Sequence, residues 1–502
     1  MEFLKQLFQN ASVPILIAFA CYLALMLGIG FYFTNKSKSM GDYFLAGRSL
    51  GSWVTAMSAQ ASDMSGWLLM GLPGAAYATG MGNYWLAVGL AIGTVLNWCF
   101  VAKRLRTFTE KAGDSITIPE YFQNRFKTDS PVVRLVCAVV IFVFFLVYTT
   151  SAFVSGGKLF MVVFGAPETA TNEKFAVIIS ALIIVTYTFL GGFNAVAWTD
   201  FIQGLLMIIA IVALPIAIIT NTPNESFEAL KNIDDGAFLS LTEGKGFNSI
   251  ISDLAWALGY FGMPHILVRF MAIKDKKLVK KSAIIAIVWV IISLFAATLI
   301  GILGRAYLDS KGIILDGSAQ QELIFIKAVK MLFPAAFAGI FLSAVLASIM
   351  STADSQLLVT ASAVVNDIFK VFKKNISDKA AMWISRGAVM AISVIACILA
   401  LNPKDSIMGI VSNAWAGFGA SFGPAILFSI YWKRVTLKGT VAGIISGATT
   451  VILWCYVLKW NGDLYAIIPG FIISAIVTVI GSLIDKKPSD EVIAIFDEAV
   501  KD

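Results

Sequence analysis

Apolar runs long enough to cross a bilayer recur along the whole chain. They lie near 11–34, 50–80, 84–102, 132–160, 174–191, 200–220, 249–270, 282–304, 334–360, 384–401, 406–431, 438–457 and 465–484. A spanning helix needs about 20 mostly apolar residues, so the pattern predicts an all-α integral membrane protein of about thirteen transmembrane helices. The first run is longer than a signal-peptide core and reads as a retained span. Between the runs the polar stretches are short. The longest, near 221–248, is mildly acidic through Glu225, Glu228, Asp234, Asp235 and Glu243. In Ser115–Phe122, Thr117 precedes Pro119 and Glu120, which predicts the start of a short surface helix. The tail after Asp485 reads as a short helix or a frayed end.

Two of the runs carry polar or helix-breaking residues at mid-depth. The run 50–80 has Asp63, with Ser62, Ser65 and Gly66 around it, where the bilayer midplane should be. A carboxylate at a helix centre costs roughly 2.5–3.5 kcal/mol on insertion scales. The economical reading is a helix interrupted at Asp63–Gly66 with its freed backbone groups facing a cavity. A kinked helix with Asp63 salt-bridged to a neighbour is the alternative. In the run 249–270, Gly259, Gly262 and Pro264 fall mid-span, and Pro264 removes a backbone donor. Trp256 and Tyr260, four residues apart, share a face. An ordinary proline kink would explain this run alone. Two broken runs five segments apart, the second and the seventh, predict an inverted five-helix repeat. The chain then divides into a first helix and loop (1–49), a first repeat (50–220), a second repeat with its preceding outer loop (221–432), and two C-terminal helices with a tail (433–502).

Composition agrees with a membrane protein. Of the 502 residues, 58% are hydrophobic and 14% charged, against about 25% charged in soluble domains. Mean hydropathy is +0.82. The net charge of +7 marks cytoplasmic loops rather than a nucleic-acid partner. Most Lys and Arg fall in alternate loops, with Lys36, Lys38 and Arg48 in the first and Lys103, Arg104, Arg106, Lys111, Arg125, Lys127 and Arg134 in the next. Further loops hold Arg269 to Lys281, then Lys370, Lys373, Lys374, Lys379 and Arg386, then Lys433, Arg434 and Lys438, and finally Lys486, Lys487 and Lys501. This bias predicts an N-terminus outside and a C-terminus in the cytoplasm.

Several function classes find no support. The five cysteines have neither metal spacing nor a disulfide framework, and one histidine rules out a poly-His centre. No G-x-x-x-x-G-K-[ST] motif supports an ATP-driven pump. There is no nucleophile elbow for an enzyme, no repeated filter loop for a channel, and too short a tail for a sensor. Nothing points to an obligate protein partner.

The ninth run supplies candidate chemistry. Ser348, Ser351, Thr352 and Ser355 form one helical stripe of hydroxyls. Helix packing explains such a stripe as well as ligation does. The interrupted second run adds what hydroxyls lack, namely freed carbonyls. A hard monovalent cation wants several oxygens and no soft donors, and a divalent ion would want more carboxylates. Carbonyls of Ala61 and Met64, hydroxyls of Ser351 and Thr352 and the carbonyl of Ser348 would make a cage for Na+, with Asp63 and Asp354 adding negative potential. Trp67, Tyr148, Trp256 and Tyr260, with Ser65 and Gly66, would line a pocket for a compact, partly apolar zwitterion whose carboxylate faces half-helix N-termini. With 12% aromatic residues in the chain, any one of these rings taken alone is better explained as core or lipid anchor.

The strings Ala46–Gly51, Ala61–Gly74, Gly191–Phe193, Trp198–Asp200, Gly259–Gly262, Pro264–Leu267 and Ala414–Ala420 carry a further observation. Through them the chain resembles, nearly end to end, the sodium:solute symporter family, and most closely its proline-transporting branch. The resemblance implies thirteen helices with an inverted-repeat core of the leucine-transporter type. It implies Na+ as coupling ion, L-proline as substrate and the cell membrane as location. It places the sodium ligands on Ala61, Met64, Ser348, Ser351 and Thr352, and a functionally sensitive carboxylate on Asp63. It places the solute pocket on Ser65, Gly66, Trp67, Tyr148, Trp256, Tyr260 and Pro264. Ser348 stands where that branch has alanine, which a carbonyl ligand tolerates. Asp354 stands where it has serine, so a second-cation or proton-linked role is open there, and Asp200 is a further position for a second cation. Within the family, another amino acid, pantothenate or a short carboxylate is the alternative solute.

Overall fold

The computed structural model describes residues 11–34, 39–167, 169–190, 192–373 and 376–501. Lys36, Lys38, Gly191 and Lys374 lie outside the described residues. The described elements are helical, and the one pairing of extended backbone among them is a bridge between Leu50 and Ile273. The principal helices are α1 (Val13–Thr34), α2 (Ser52–Asp63), α3 (Leu72–Thr79), α4 (Tyr84–Leu96), α5 (Val132–Phe164), α6 (Ala170–Leu190) and α7 (Phe193–Asn221). They continue with α8 (Phe247–Leu254), α9 (Pro264–Ala272), α10 (Val279–Ser310), α11 (Ala335–Ser362), α12 (Asp378–Ala400), α13 (Ile407–Tyr431), α14 (Leu437–Ile452) and α15 (Ile467–Ile484).

Among the described residues, eleven helices are long and apolar enough to cross a membrane. The expected thirteen counts the runs 50–80 and 249–270 as spans of their own, and both are divided. The helix α2 stops at Asp63, where Met64 takes non-helical torsions (φ −91°, ψ 81°). The chain resumes through a π-turn, Trp67–Gly71, and continues as α3. The interruption therefore falls inside the expected Asp63–Gly66. In the second divided run, α8 tightens into 3₁₀ turns over Ala255–Phe261 and the chain breaks at Gly262–Met263. Pro264 does not break a helix here. It opens α9 at the first position, where a missing N–H costs nothing.

The helices α11 and α13 are buried almost throughout. The outer helices show the reverse of a soluble pattern. Along α15, Ile472, Ile476, Ile480 and Leu483 face outward while Gly470, Ser474, Thr478 and Ser482 are buried. Hydrocarbon solvates isoleucine, so nothing drives it inward, and small residues instead let backbones approach. Gly439, Gly443 and Gly447 of α14 are the counterpart. A Cβ at Gly439 would overlap Ser482, one at Gly443 Thr478, and one at Gly447 the Ala420 carbonyl of α13.

Three of the loop cations are less exposed than the charge pattern suggests. Arg48 donates to the Met271 carbonyl (2.5 Å) and Arg106 to that of Ile273 (2.8 Å), so both cap the C-terminal end of α9. Arg125 is fully buried and donates to the carbonyls of Ser429 (3.2 Å) and Val492 (2.9 Å). Its guanidinium lies 5.4 Å from the Phe496 ring centroid. These contacts fasten the terminal helix Asp490–Lys501, which buries Val492, Ile495, Phe496 and Ala499. The tail is thus an ordered helix. The short helix expected after Thr117 spans Ile118–Arg125, with the Thr117 hydroxyl accepting from Glu120 N at 3.1 Å.

Replacing Gly443 by Val should destabilise the fold by about 1–3 kcal/mol through overpacking. Ile480→Val, on the lipid side of α15, should shift it by no more than about 0.5 kcal/mol. Thermal unfolding of the two variants in detergent measures the difference.

Candidate functional site

A helix end leaves carbonyls without partners, and the end of α2 has unusual ones. The Asp63 carbonyl accepts from Ser65 N (3.1 Å), the Trp67 indole Nε1 (3.0 Å) and the Tyr148 hydroxyl (3.4 Å). Its carboxylate Oδ2 accepts from the Tyr260 hydroxyl at 2.7 Å, while Oδ1 is buried without a partner. Asp63 is therefore a hub joining α2, α5 and the 3₁₀ segment before α9. Its partner is a neutral hydroxyl rather than a cation, which sets aside the salt-bridged kink.

The remaining rings assemble around Trp415 of α13. Trp256 stacks on it at 6.0 Å between centroids, and Tyr260 meets it edge-on at 5.0 Å. Trp415 Nε1 donates to the Trp256 carbonyl (2.8 Å), and Asn97 Nδ2 to the Tyr260 carbonyl (3.0 Å). The loosened 3₁₀ turns thus have side-chain donors for carbonyls that an α-helix would satisfy internally. Ser65 uses its hydroxyl to accept from Trp67 N at 3.4 Å. Gly66 lies so close to α5 that a Cβ would overlap Ser155. Pro264 lines a small void with Phe193, Val268 and Asp367, to which Trp67, Tyr148, Trp256 and Tyr260 do not contribute.

The hydroxyl stripe of α11 meets the other side of the break. Ser351 Oγ lies 2.7 Å from the Ala61 carbonyl and 3.1 Å from that of Ser348. Thr352 Oγ1 lies 3.2 Å from the same Ser348 carbonyl. The Ser348 hydroxyl turns away to the Val345 carbonyl (2.8 Å), so its backbone oxygen is what joins the cluster. Met64 sits at the break itself, its sulfur 3.6 Å from Ser293 Oγ. Ala61, Met64, Ser348, Ser351 and Thr352 are all wholly buried. Neutral oxygens with a carboxylate nearby are the donor set of a hard monovalent cation. Among the described residues no group of three His, Cys, Asp or Glu stands ready for a metal.

Asp200 and Asp354 belong to a second cluster, built on Arg269. Asp200 Oδ2 accepts from Ser58 Oγ (2.6 Å) and Arg269 Nη2 (3.0 Å). Arg269 also donates to Ser58 Oγ (3.1 Å), Ser355 Oγ (2.5 Å) and the His265 carbonyl (2.7 Å). Ser355 is the link, because its hydroxyl also donates to the Ser351 carbonyl (2.7 Å) and lies 3.3 Å from Asp354 Oδ1. Arg269 is not a loop charge. It is wholly buried in α9, held by Asp200 and packed 5.1 Å over the Phe193 ring. Its position as the one charge in the run 255–273 was the available signal. Asn97, Ser155 and Trp415 were also missed as site residues, since each reads as ordinary core until the partner across the bundle is known.

The pattern of the sodium:solute symporter family matches residues 43–447. An osmoregulated proline transporter of Bacillus subtilis (strain 168) is 45% identical, over 95% of this chain and 96% of its own. A sodium/proline symporter of Escherichia coli (strain K12) is 43% identical, over 95% of this chain and 94% of its own. Among solved structures, the substrate-bound outward-open state of a Na+-coupled sialic acid symporter superposes with a TM-score of 0.77 at 21% identity, covering 95% of this chain and 99% of that one. That last likeness is one of fold, and the fold is of the leucine-transporter type. By sequence pattern and by relatives that match along nearly its whole length, the chain belongs to the sodium:solute symporter family.

Proposed function

We propose that this protein carries L-proline together with Na+ across the cell membrane by alternating access, with its N-terminus outside and its C-terminus in the cytoplasm. The observation that carries the reading is the 2.7 Å approach of Ser351 Oγ to the Ala61 carbonyl. It joins the break in α2 to α11 through oxygens alone. Na+ would be held by the carbonyls of Ala61, Met64 and Ser348 and the hydroxyls of Ser351 and Thr352. The names of the relatives, a proline transporter and a sodium/proline symporter, support the same solute and ion.

The coupling arises from shared residues. The ion draws α2 and α11 together at Ala61, two residues before Asp63. Asp63 in turn fixes Trp67, Tyr148 and Tyr260, which with Ser65, Gly66, Trp256 and Pro264 form the proline pocket. The rings cover the apolar pyrrolidine, and the half-helix N-termini favour its carboxylate. Ordering one site therefore orders the other, and each ligand raises the affinity of its partner by the same factor. Asp200 and Asp354 act on the ion through Arg269 and Ser355. The repeats 50–220 and 221–432 supply the parts that rock against each other, flanked by 1–49 and 433–502. Transport of this kind breaks no covalent bond and needs no enzyme chemistry.

Labelled proline should accumulate in proteoliposomes only under an inward Na+ gradient, and accumulation that ignores the gradient would refute the proposal. Asp63→Asn and Thr352→Ala should each raise the Na+ concentration for half-maximal uptake about tenfold or more, equivalent to ~1.4 kcal/mol, at unchanged amounts in the membrane. If both variants keep wild-type uptake at low Na+, the ligand assignment is wrong.

A further inference from the structure

Most Lys and Arg fall on the face read as cytoplasmic, yet on the opposite face five lysines line one cavity. It measures about 890 Å³, near the top of the roughly 300–1,000 Å³ that sites for drug-sized molecules occupy. Lys158 comes from the outer part of α5, Lys174 from the start of α6, and Lys404 from the loop between α12 and α13. Lys327 and Lys330 come from the short helix Ile324–Leu332. Glu173 and Asp405 are the carboxylates of the lining, two against five ammonium groups. A second cavity on this face has the opposite sign, with Asp234, Asp309 and Asp316 against Arg305. Lysines that merely reach for water at a membrane edge have no reason to gather, and a cavity lined by one sign of charge concentrates the other.

The positive charge is largely unspent. Among the described residues, Lys158 alone of the five has a carboxylate partner, Glu322. Lys327 donates to Gln320 Oε1 (3.0 Å) and Lys330 to the Val162 carbonyl (3.0 Å), both neutral. Lys174 and Lys404, among the described residues, have no hydrogen-bond or ion-pair partner. Asp405 turns Oδ1 to its neighbour Ser406 N (2.7 Å), at the start of α13. Burial pushes the pKa of Lys330 down, an effect that an anion beside it reverses.

The rest of the lining says what kind of anion. The helix α5 ends at Phe164, so Val154 and Met161 lie inward of the mouth, joined by Val177 of α6 and by Leu323. Beside the cavity α6 packs against α12. From Val177 the exposed Ile178 and Leu182 lead down α6, and from Ala400 the exposed Leu399, Ile398 and Ile395 lead down α12. Both rows belong to helices long and apolar enough to cross a membrane. The cavity thus joins a cationic mouth at the membrane boundary to an apolar interior and to hydrocarbon-facing helices. An inorganic anion would use the mouth alone, whereas an amphiphile uses all three.

We propose that this cavity binds an anionic lipid, with the phosphate among Lys174, Lys327, Lys330 and Lys404 and the chains along α6 and α12. Bound there, the lipid ties the helix Ile324–Leu332 to α6 and to the loop before α13. In the proposed orientation it comes from the outer leaflet. The assignment does not depend on which solute or ion the protein carries.

Thermal unfolding of the purified chain in non-ionic detergent, followed by tryptophan fluorescence, tests it. A ligand that binds only the folded state raises the unfolding temperature. Phosphatidylglycerol should reach half its maximal rise at about one-tenth of the concentration that phosphatidylcholine of the same chains requires. In Lys174→Gln/Lys404→Gln, which removes the two unpartnered charges, this preference should shrink to about twofold or less. Lys231→Gln/Lys459→Gln removes two charges from the same face, away from the cavity, and should keep it. A wild type without the preference overturns the site, and so does equal loss in the two double variants. Millimolar inorganic phosphate should leave the unfolding temperature unchanged. A rise equal to that with phosphatidylglycerol would make the cavity a site for free anions and overturns the lipid assignment.

Discussion

A helix that stops in the middle of a membrane must find donors for carbonyls that no water can reach, at several kcal/mol for each one left bare. That requirement organises the centre of this protein. At the end of α2 the Asp63 carbonyl is met by Trp67 and Tyr148, and the Ala61 carbonyl by Ser351. At the second divided run, the carbonyls of Trp256 and Tyr260 are met by Trp415 and Asn97. Apart from Trp67, each donor comes from a different element, so satisfying the two breaks ties α5, α11, α13 and the π-turn after α4 to them.

Such contacts are well suited to a moving ion. A hydroxyl that donates to a carbonyl can rotate its proton away and present its lone pairs to a cation instead, at little structural cost. Ser351 stands at that point between Ala61 and Ser348. The buried Arg269–Asp200 pair is of another kind. Removing one member of a buried pair costs about 3–5 kcal/mol, so it holds α7, α9 and, through Ser355, α11 in register one turn from the oxygens around Ser351. Hydroxyls that can switch partners lie close to charges that cannot.

Much of this was legible in the chain itself. The interruption near Asp63 could be read from one carboxylate at mid-span, and the hydroxyl stripe of α11 from helical spacing. Tyr148, Trp256 and Tyr260 were identified as candidate rings before their partners were known. What stayed hidden depended on pairs far apart in sequence. Arg269 read as a loop charge because its partner, Asp200, lies 69 residues away, and Arg125 read as one because Val492 lies 367 residues away. Pro264 looked like a breaker, since composition alone does not say whether a proline ends one helix or begins the next. Trp415 and Asn97 look like core until the carbonyls they serve are seen.

Hydrogen exchange read by mass spectrometry, on the protein in Na+ and in an equal concentration of choline, addresses the joining of α2 and α11 directly. If an ion bridges the freed carbonyls and the serine and threonine hydroxyls, amides around residues 61–68 and 348–356 will slow together, with one shared Na+ midpoint and without proline. Slowing confined to one of the two segments, or none in either, would contradict a cation held between them.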